Sequence, residues 1–515
     1  MRAANGLVAT GHHLATQAGL AALRDGGSAA DAAVAAAAVS AVVLPEATGV
    51  GGDLFALVYD ARTRTVSAYN GSGAAPRSIE PERFAGTGFP DRGAILATVP
   101  GAVAGWVDLA RDHGRLGLDR VLAPAIGYAA EGFPLSDRLA RSLVAADARI
   151  GADPGSAATF APRGRWLHGG EILQQPDLAA TLRAIAASGA GGFYRGAIAE
   201  LLAAGIRELG GAISLDDLAA HRTDRPEPLS TTYRNLTVYG QPPVSQGHVL
   251  LEELALANGL DVAALGHASD EQVHLMVELK KIAFADRDLH AGDPRVTGFD
   301  ARRLLDPAFL AARRAAVGKR AGDAVAGASF GTDTTYLCVV DRDGNAVSLI
   351  ESVFSLFGSA ALVPGTGVML NNRLTGFSLD PRSANVVAPG KRPVHTLNAV
   401  LVLEGTTPRF VYGTPGAQAQ VQTNFQLAVA LIDHGLDPQS AIDAPRWYHE
   451  SGRALLMEAG YSEKTRKGLA ERGHNLTVLA GQDEKTGGAQ IIGIEESGSF
   501  TGGADERRDG HAAGY

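Results

Sequence analysis

The amino-acid sequence predicts a mixed α/β (α+β) protein, because helical and strand patterns occupy different parts of the chain. From about residue 100 to 315 the apolar spacing is mostly that of helices, for example at 178–187 and 270–286. From residue 334 onward, alternating and β-branched runs are typical of strands. Residues 318–333 between these parts are small and show no period, so we place an internal boundary there.

The first part opens with a helix, a glycine turn and a strand. Ser28 and Asp31 can cap the start of a helix that we predict over 28–43. The glycine-rich turn 49–53 then enters an apolar run, 54–59, with strand character. A dinucleotide-binding fingerprint needs the order strand, glycines, helix, so these glycines do not indicate a nucleotide site.

The second part opens with a β-hairpin. Residues 334–340 alternate and are rich in β-branched side chains, 341–345 form a turn sequence, and 346–350 supply the return strand. Further strands are predicted at 400–403 and 410–412. A segment without regular pattern thus leads into a strand that begins with two threonines.

Composition and charge exclude several classes of function. The chain of 515 residues has 46% hydrophobic residues and a net charge of −9, with no dense run of Lys or Arg. We therefore expect no nucleic acid and no membrane surface as partner, but a small molecule or peptide. The longest apolar run, 32–44, is too short to span a bilayer. Because the sequence does not open with a basic segment and a continuous apolar stretch, the expected location is the cytoplasm.

Cysteine and histidine patterns indicate no disulfide and no metal site. The one cysteine, Cys338, cannot form an intrachain disulfide, and its alternation with Tyr336 is typical of a core strand. His12 and His13 have no third ligand at metal spacing. We therefore expect neither a metal nor a cofactor.

Thr334 is a candidate nucleophile at the start of the predicted hairpin. A threonine hydroxyl needs a base, and a chain cut just before Thr334 would place a free α-amine within reach of its own Oγ. Such an amine titrates at about 7.7 to 8.0, so its neutral form is available near neutral pH. A threonine at a strand start usually reflects only β propensity, so the pattern alone leaves a purely structural interpretation open.

The segment around Thr334 resembles the processing site of the gamma-glutamyltranspeptidases, a family of N-terminal-nucleophile hydrolases. The resembling stretch is DTTYLCVVDRDGNAV, from Asp333 to Val347. Further blocks similar to those of the family follow in family order, namely GGSAADAA (26–33), GVGGD (49–53), VPGAVAG (99–105), PPVSQG (242–247), FADR (284–287), LNN (370–372), KRP (391–393), GTPG (413–416) and AAGY (512–515). The resemblance therefore covers nearly the whole chain.

This resemblance implies a four-layer αββα sandwich that cuts itself between Asp333 and Thr334. Residues 1–333 would form a large subunit and residues 334–515 a small one, held together as an intertwined heterodimer. Whether two such pairs form a further dimer is left open. Thr334 would attack an amide carbonyl, its amine would act as the base, and no cofactor is implied.

The resemblance also implies supporting residues around the nucleophile. The backbone N–H groups of Gly416 and Ala417 match the family's oxyanion hole; the second position is usually glycine, but alanine keeps the N–H. Thr335 and Ser352 match hydroxyl positions near the nucleophile. For each of these two, the alternative is an ordinary strand hydroxyl bonded to a neighbour.

The positions expected to contact the substrate depart from the family pattern. They are Ser72, Asn372, Arg373, Gly376, His395 and Thr396. The family's arginine for the substrate α-carboxylate is absent from 71–76, and Gly376 replaces its amino-binding aspartate. Hydrogen bonds to charged groups contribute about 1.5 to 3 kcal/mol each, so these losses disfavour a free γ-glutamyl group.

Three functions remain in consideration. The first is an amide hydrolase or acylase acting on a small carboxylate-bearing amide other than glutathione, with Arg373 and His395 binding the carboxylate. A structural ion pair is the alternative for Arg373. The second function is a gamma-glutamyltransferase and glutathione hydrolase proper, and the third is a non-catalytic scaffold that keeps the fold.

Overall fold

A computed structural model describes residues 1–323 and 333–515. Its strands are β1 (Arg2–Ala3), β2 (Gly6–Thr10), β3 (Asp53–Asp60), β4 (Thr65–Gly71), β5 (Phe133–Pro134), β6 (Ile172–Leu173), β7 (Leu229–Tyr233), β8 (Leu236–Gly240), β9 (Asp333–Asp341), β10 (Ala346–Phe354), β11 (Leu362–Val363), β12 (Val368–Met369), β13 (Val400–Glu404), β14 (Thr407–Gly413), β15 (Trp447–His449), β16 (Ala454–Glu458), β17 (Asn475–Leu479), β18 (Gln490–Ile494), β19 (Phe500–Ala504) and β20 (His511–Gly514). The predicted boundary at 318–333 falls mostly on residues 324–332, which lie outside the described residues.

The α-helices lie largely in the first part of the chain, as predicted. They are α1 (His13–Arg24), α2 (Ala29–Val43), α3 (Ala102–His113), α4 (Leu118–Glu131), α5 (Asp137–Ala145), α6 (Asp147–Ile150), α7 (Pro154–Phe160), α8 (Pro176–Ser188), α9 (Gly191–Tyr194), α10 (Gly196–Glu208), α11 (Leu215–Ala220), α12 (Gly247–Asn258), α13 (Asp270–His290), α14 (Pro294–Thr297), α15 (Pro307–Arg314), α16 (Ala419–Ala428), α17 (Pro438–Asp443) and α18 (Glu463–Glu471). In the described ranges, no helix combines the length and the apolar character needed to cross a membrane.

Two antiparallel sheets form the centre of the described structure. One has the strand order β20-β2-β9-β10-β3-β4, and the other has the order β1-β19-β18-β14-β13-β8-β7. Their facing sides share one buried apolar cluster, in which Leu7, Phe55 and Tyr336 of the first sheet meet Leu401 and Ile492 of the second. The two sheets are therefore stacked face to face.

Helices cover the outer face of each sheet. Leu337 and Val339 of β9 belong to a buried cluster with α1, α2 and α3. On the other side, Val402 of β13 and Tyr412 of β14 belong to a buried cluster with α12, α13 and α16. The order of layers is helices, sheet, sheet, helices, so the predicted αββα sandwich is confirmed.

The helix predicted over 28–43 is confirmed and shows why an alanine-rich sequence suits this place. Ser28 Oγ accepts a hydrogen bond from the Asp31 N–H, and the Asp31 carboxylate accepts one from the Ser28 N–H. Every residue of α2 is buried. Small side chains let the helix pack closely between α1 and the first sheet.

Strand β9 carries Thr334 into the middle of the first sheet. It pairs with β2 on one side and β10 on the other, and all of its residues are buried. Side chains alternate along a strand, and those of Tyr336 and Cys338 face the second sheet. By the same alternation, Thr334 lies on the side of the second sheet and Thr335 on the side of the helices.

Candidate active site

Thr334 lies directly beside the peptide carbonyl that precedes it. Its Oγ donates a hydrogen bond to the carbonyl oxygen of Asp333 at 2.7 Å and lies 3.3 Å from Oγ of Ser352. Thr334 is buried, with 3% of its surface exposed. Asp333 and Thr334 are consecutive residues of β9. The hydroxyl is therefore adjacent to the bond that the sequence predicts to be cut.

Ser352 contacts the same carbonyl from the neighbouring strand. Its Oγ donates to the Asp333 carbonyl oxygen at 2.7 Å and accepts from the N–H of Phe354 at 2.7 Å. The pairing of β9 with β10 shifts between Glu351 and Phe354, and such irregularities often re-aim a side chain. Two hydroxyls thus meet at one carbonyl oxygen, and the hydrogen bond from Ser352 can stabilise negative charge developing there.

Gly416 and Ala417 lie in the loop between β14 and α16. Their φ angles are +123° and +50°, in the left-handed region that favours glycine. An alanine held there is strained, and such residues cluster at functional sites. Both residues line the same cavity as Asp333, the residue before the bond that the sequence predicts to be cut.

The cavity beside Asp333 has a volume of about 490 Å³. Its described lining residues are Arg138, Arg141, Ser142, Ala145, Asp333, Leu356, Gly416, Ala417, Tyr448, Glu484, Lys485, Arg507 and Arg508. Basic side chains clearly outnumber acidic ones in this set. An excess of positive charge in a concave site favours an anionic ligand.

Two arginines hold the Asp333 carboxylate in this cavity. Arg508 Nη1 donates to Oδ1 of Asp333 at 2.7 Å, and Arg138 Nη2 lies 3.7 Å from Oδ2. Arg138 also donates to Glu46 at 2.7 Å. Burial raises the pKa of Glu46 to about 7, while the charge of Arg138 opposes the rise. The residue before the bond predicted to be cut is thus fixed by charge as well as by the backbone.

Thr335 is not directed toward the nucleophile. It lies on the helix side of β9, where a Cβ built on Gly11 would be 2.8 Å from Thr335 Oγ1. Thr335 is buried, with 3% of its surface exposed. The geometry matches the alternative interpretation of this position, an ordinary strand hydroxyl.

Arg373 forms a buried ion pair away from the cavity. Its Nε donates to Asp53 Oδ2 at 3.1 Å, and both side chains are 0% exposed. Its guanidinium lies over the ring of Phe354 at 4.2 Å. Neither Arg373 nor His395 is among the described residues that line the cavity beside Asp333. This geometry favours the structural ion pair over a substrate contact.

His395 is buried as a neutral ring. It meets Phe55 edge-on, with ring centroids 5.0 Å apart. Burial, together with the charges of Arg373 and Arg392, lowers its pKa well below the ordinary value. A neutral imidazole adds no charge that would attract a carboxylate. The neighbouring Thr396 is also buried, with 3% of its surface exposed.

The remaining predicted substrate contacts have partners within the protein or lie elsewhere. Ser72 Oγ donates to Asn70 Oδ1 at 2.6 Å. Asn372 Oδ1 accepts from the Ser355 N–H at 3.0 Å. Gly376 lines a separate cavity of about 450 Å³. The cavity beside Asp333 therefore draws its described lining from other parts of the chain.

Sequence reasoning does not identify Glu46, Arg138 or Arg508. They come from the turn after α2, from α5, and from the segment between β19 and β20. No local spacing links three residues so far apart in sequence. The one available signal is the nearness of Arg508 to the family-like ending 512–515.

A separate cluster has the composition of a metal site, but most of its ligand atoms are already paired, His474 Nδ1 being an exception. His274, Glu278 and His474 offer ligand atoms within 4.8 Å of one another. His274 Nε2 lies 2.9 Å from the Gly318 carbonyl and must donate to it, so His274 Nδ1 accepts from His474 Nε2 at 2.9 Å. Lys281 donates to Glu278 at 2.8 Å. These contacts use atoms that a metal ion would need.

Comparison with known proteins places these features in a family context. The profile described as Gamma-glutamyltranspeptidase matches residues 15–515. The glutathione hydrolase-like YwrD proenzyme of Bacillus subtilis is 38% identical over 515 residues, covering 99% of this chain and 98% of the relative. The oxamate amidohydrolase proenzyme of Klebsiella pneumoniae is 39% identical over 524 residues, covering 99% of this chain and 98% of the relative.

Solved structures agree with these sequence matches. A cephalosporin acylase from Bacillus halodurans superposes with a TM-score of 0.95 at 37% identity, covering 100% of this chain and 96% of that chain. The gamma-glutamyltranspeptidase of Helicobacter pylori superposes with a TM-score of 0.58 at 31% identity, covering 60% of this chain and 90% of that chain. Fold and sequence therefore indicate the same family.

Proposed function

Because the chain belongs to the gamma-glutamyltranspeptidase family, we propose that it is a self-processing amide hydrolase with Thr334 as its nucleophile. Its acyl donor is a small carboxylate-bearing amide other than glutathione. The observation that carries the proposal is the position of Thr334 Oγ, 2.7 Å from the carbonyl oxygen of Asp333. A hydroxyl at this position can react first with its own peptide bond and afterwards with an external amide.

Self-processing starts at the peptide bond between Asp333 and Thr334. Thr334 Oγ attacks the carbonyl carbon, the C–N bond breaks, and the Oγ proton passes to the leaving amine. Ser352 Oγ, 2.7 Å from the same carbonyl oxygen, donates to the oxyanion. Water then hydrolyses the ester, which leaves a carboxylate on Asp333 and a free α-amine on Thr334.

The free α-amine of Thr334 acts as the base during turnover. Such an amine titrates at about 7.7 to 8.0, so part of it is neutral at neutral pH. It takes the proton from Oγ as Oγ attacks the substrate carbonyl, and it passes this proton to the leaving amine. The N–H groups of Gly416 and Ala417 bind the oxyanion. Water then releases the acyl group as a carboxylic acid.

The charge of the cavity supports a carboxylate on the substrate. Its lining includes the basic side chains of Arg138, Arg141 and Lys485, as well as Arg508, which contacts Asp333. One relative is named for oxamate, which is itself an amide with a carboxylate. Since Arg373 is paired with Asp53, we assign attraction of the carboxylate to the cavity.

The proposal is tested by the intact mass of freshly purified protein beside the Thr334→Ala variant. We expect the wild type to yield two chains, residues 1–333 and 334–515, and the variant to stay as one chain. The reason is that alanine lacks the attacking Oγ. A single uncut chain in both samples would overturn the proposal and favour a non-catalytic scaffold.

The cleaved protein is then assayed with γ-glutamyl-p-nitroanilide, with and without an acceptor dipeptide. We expect slow release of p-nitroaniline and no stimulation by the acceptor, because the γ-glutamyl contacts of the family are replaced here. Rapid release that the dipeptide stimulates would show a gamma-glutamyltransferase proper instead.

A further inference from the structure

We propose that Arg508, assisted by Arg138, forms a carboxylate-binding subsite for amides of four-carbon dicarboxylic acids, and that Asp333 occupies this subsite in the uncut chain. The inference rests on the proposed function, because it names the acyl group that Thr334 would accept. It also gives Arg138 and Arg508 a role that neither the family motifs nor their sequence positions indicate.

Asp333 is the first acyl group that meets Thr334. Its carbonyl oxygen accepts hydrogen bonds from Thr334 and from Ser352, each at 2.7 Å. Its side-chain carboxylate accepts from Arg508 at 2.7 Å and lies 3.7 Å from Arg138. One residue therefore places a reacting carbonyl beside the nucleophile and a carboxylate on the arginines at the same time.

The carbon skeleton of Asp333 sets the distance between these two contacts. In an aspartyl group, two carbon atoms separate the backbone carbonyl carbon from the side-chain carboxylate carbon. A succinyl group has the same separation, whereas an oxalyl group has no intervening carbon and a glutaryl group has three. An external acyl group that places its carbonyl at Thr334 and its carboxylate at Arg508 is therefore best matched by succinyl.

In this proposal Asp333 leaves the subsite after the bond to Thr334 is cut, and Arg508 then needs a new anion. Its side chain is 8% exposed, and its Nε has no hydrogen-bond partner among the described residues. Without Asp333, the contact of Nη1 that remains is to the Thr334 carbonyl oxygen at 3.4 Å. A buried guanidinium left in this state is costly, and a substrate carboxylate would satisfy it.

Arg138 is also positioned by hydrogen bonds to groups other than Asp333. It donates to Glu46 at 2.7 Å and to Glu484 at 3.2 Å. These contacts keep its guanidinium at the cavity wall after cleavage. Arg138 therefore supplies a fixed positive charge at longer range, and Arg508 supplies the direct hydrogen bond.

The reaction on such a substrate is balanced without any co-reactant other than water. Thr334 Oγ bonds to the amide carbonyl carbon of a succinic monoamide, the C–N bond breaks, and the Oγ proton leaves with the amine. Water then cleaves the succinyl ester. The products are succinate and a free amine, and the Thr334 hydroxyl is restored.

The test compares oxalyl-, malonyl-, succinyl-, glutaryl- and butyryl-p-nitroanilide as substrates of the cleaved wild-type protein. We expect the highest kcat/KM for the succinyl compound, and a value at least about ten-fold lower for butyryl, which lacks the charged hydrogen bonds. Equal values for succinyl and butyryl would overturn the subsite. A maximum at another carboxylated acyl length would overturn the four-carbon assignment.

The Arg508→Gln variant connects this preference to the residue. We expect the ratio of succinyl to butyryl kcat/KM to fall to about one, because the direct hydrogen bond to the carboxylate loses its charge. The control is Arg382→Gln, which removes an 88% exposed charge that does not line this cavity and should retain the full ratio. A ratio that persists in Arg508→Gln would overturn the assignment.

If the Arg508→Gln chain does not cut itself, two further measurements still test the subsite. Arg508→Lys keeps the charge and should preserve part of the ratio, and succinate should inhibit the wild type at least about ten-fold more strongly than butyrate. Equal inhibition by the two acids would overturn the subsite. If the cleaved wild type hydrolyses none of the five amides, the proposed function itself fails, which is a different result.

Discussion

At the scale of single residues, the structure separates charged groups that hold the fold from those that meet the cavity. Arg373 and Asp53 are both 0% exposed and pair with each other at 3.1 Å. Burial lowers the pKa of Arg373 to about 10, with Asp53 opposing the shift, so the guanidinium stays charged at neutral pH. The buried charges of Arg373 and Asp53 therefore stabilise each other.

This dependence predicts that Arg373→Gln is strongly destabilising. Removing one partner leaves the Asp53 carboxylate buried without its counter-charge, a change that costs about 3–5 kcal/mol in other proteins. The free energy of unfolding is measured by urea denaturation in the Thr334→Ala background, where all chains are uncut. The second substitution Asp53→Asn should recover much of the loss.

The control is Arg382→Gln, because the Arg382 side chain is 88% exposed in its pair with Asp380. This change should leave the midpoint of unfolding where it is in the parent protein. If Arg373→Gln keeps full stability in the Thr334→Ala background but lowers activity in the chain that retains Thr334, Arg373 is a substrate contact and the structural interpretation is wrong.

At the scale of elements, β9 and β10 carry the hydroxyls of the candidate site on one face and side chains packed against the helices on the other. Thr334 and Ser352 lie on the face toward the second sheet, where their hydroxyls meet at the Asp333 carbonyl. Glu351 lies on the opposite face, where it is 0% exposed and accepts from Trp106 Nε1 at 3.1 Å. Alternation along a strand thus keeps a buried acid apart from the nucleophile.

Glu351 predicts a pH dependence of stability. Burial raises its pKa from 4.5 to about 8, and the hydrogen bond from Trp106 opposes this rise. Between those values the folded chain keeps a proton that the unfolded chain releases, so the folded state binds more protons. The free energy of unfolding contributed by this group therefore falls as pH rises from 4.5 to about 8.

Glu351→Gln removes this dependence, because an amide of the same shape does not ionise. Relative to the parent, the variant should gain about 1.4 kcal/mol for each pH unit within that window. Urea unfolding at pH 5 and pH 8 measures the gain, again in the Thr334→Ala background. The exposed Glu404→Gln serves as control and should follow the parent at both pH values. Equal gains at pH 5 and pH 8 would contradict the prediction.

At the scale of the whole molecule, the two predicted subunits are interleaved in both sheets. In the first sheet, β2 from residues before the cut lies between β20 and β9, which come from residues after it. In the second sheet, β1 and β8 from the first part flank a block of strands from the second. Separating the subunits would break strand pairs in both sheets, including β2–β9 in the first and β13–β8 in the second.

This interleaving predicts that the two chains stay together after cleavage. In size-exclusion chromatography under native conditions, residues 1–333 and 334–515 should elute in one peak at the size of the uncut Thr334→Ala chain. They should separate only after denaturant is added, because the shared apolar core must be exposed first. Release of the smaller chain in native buffer would contradict the prediction.

The local patterns of this sequence were sufficient for many of its elements. The capping residues Ser28 and Asp31 predicted the start of α2, and the alternating, β-branched residues after Asp333 predicted β9. These features depend on nearest neighbours along the chain, which is why they can be read without a structure. The family motifs added the αββα layers and the candidate nucleophile Thr334.

Only the tertiary structure decided which charged groups meet at the candidate site. Arg373 comes directly after the family-like block 370–372, yet it is buried against Asp53. Arg138 and Arg508 belong to no family-like block, yet they hold Asp333 in the cavity. Local sequence patterns determine helices and strands because those depend on spacing and propensity. Pairing of charges depends on which distant segments the packed sheets bring within a few ångströms, and a linear sequence does not display that distance.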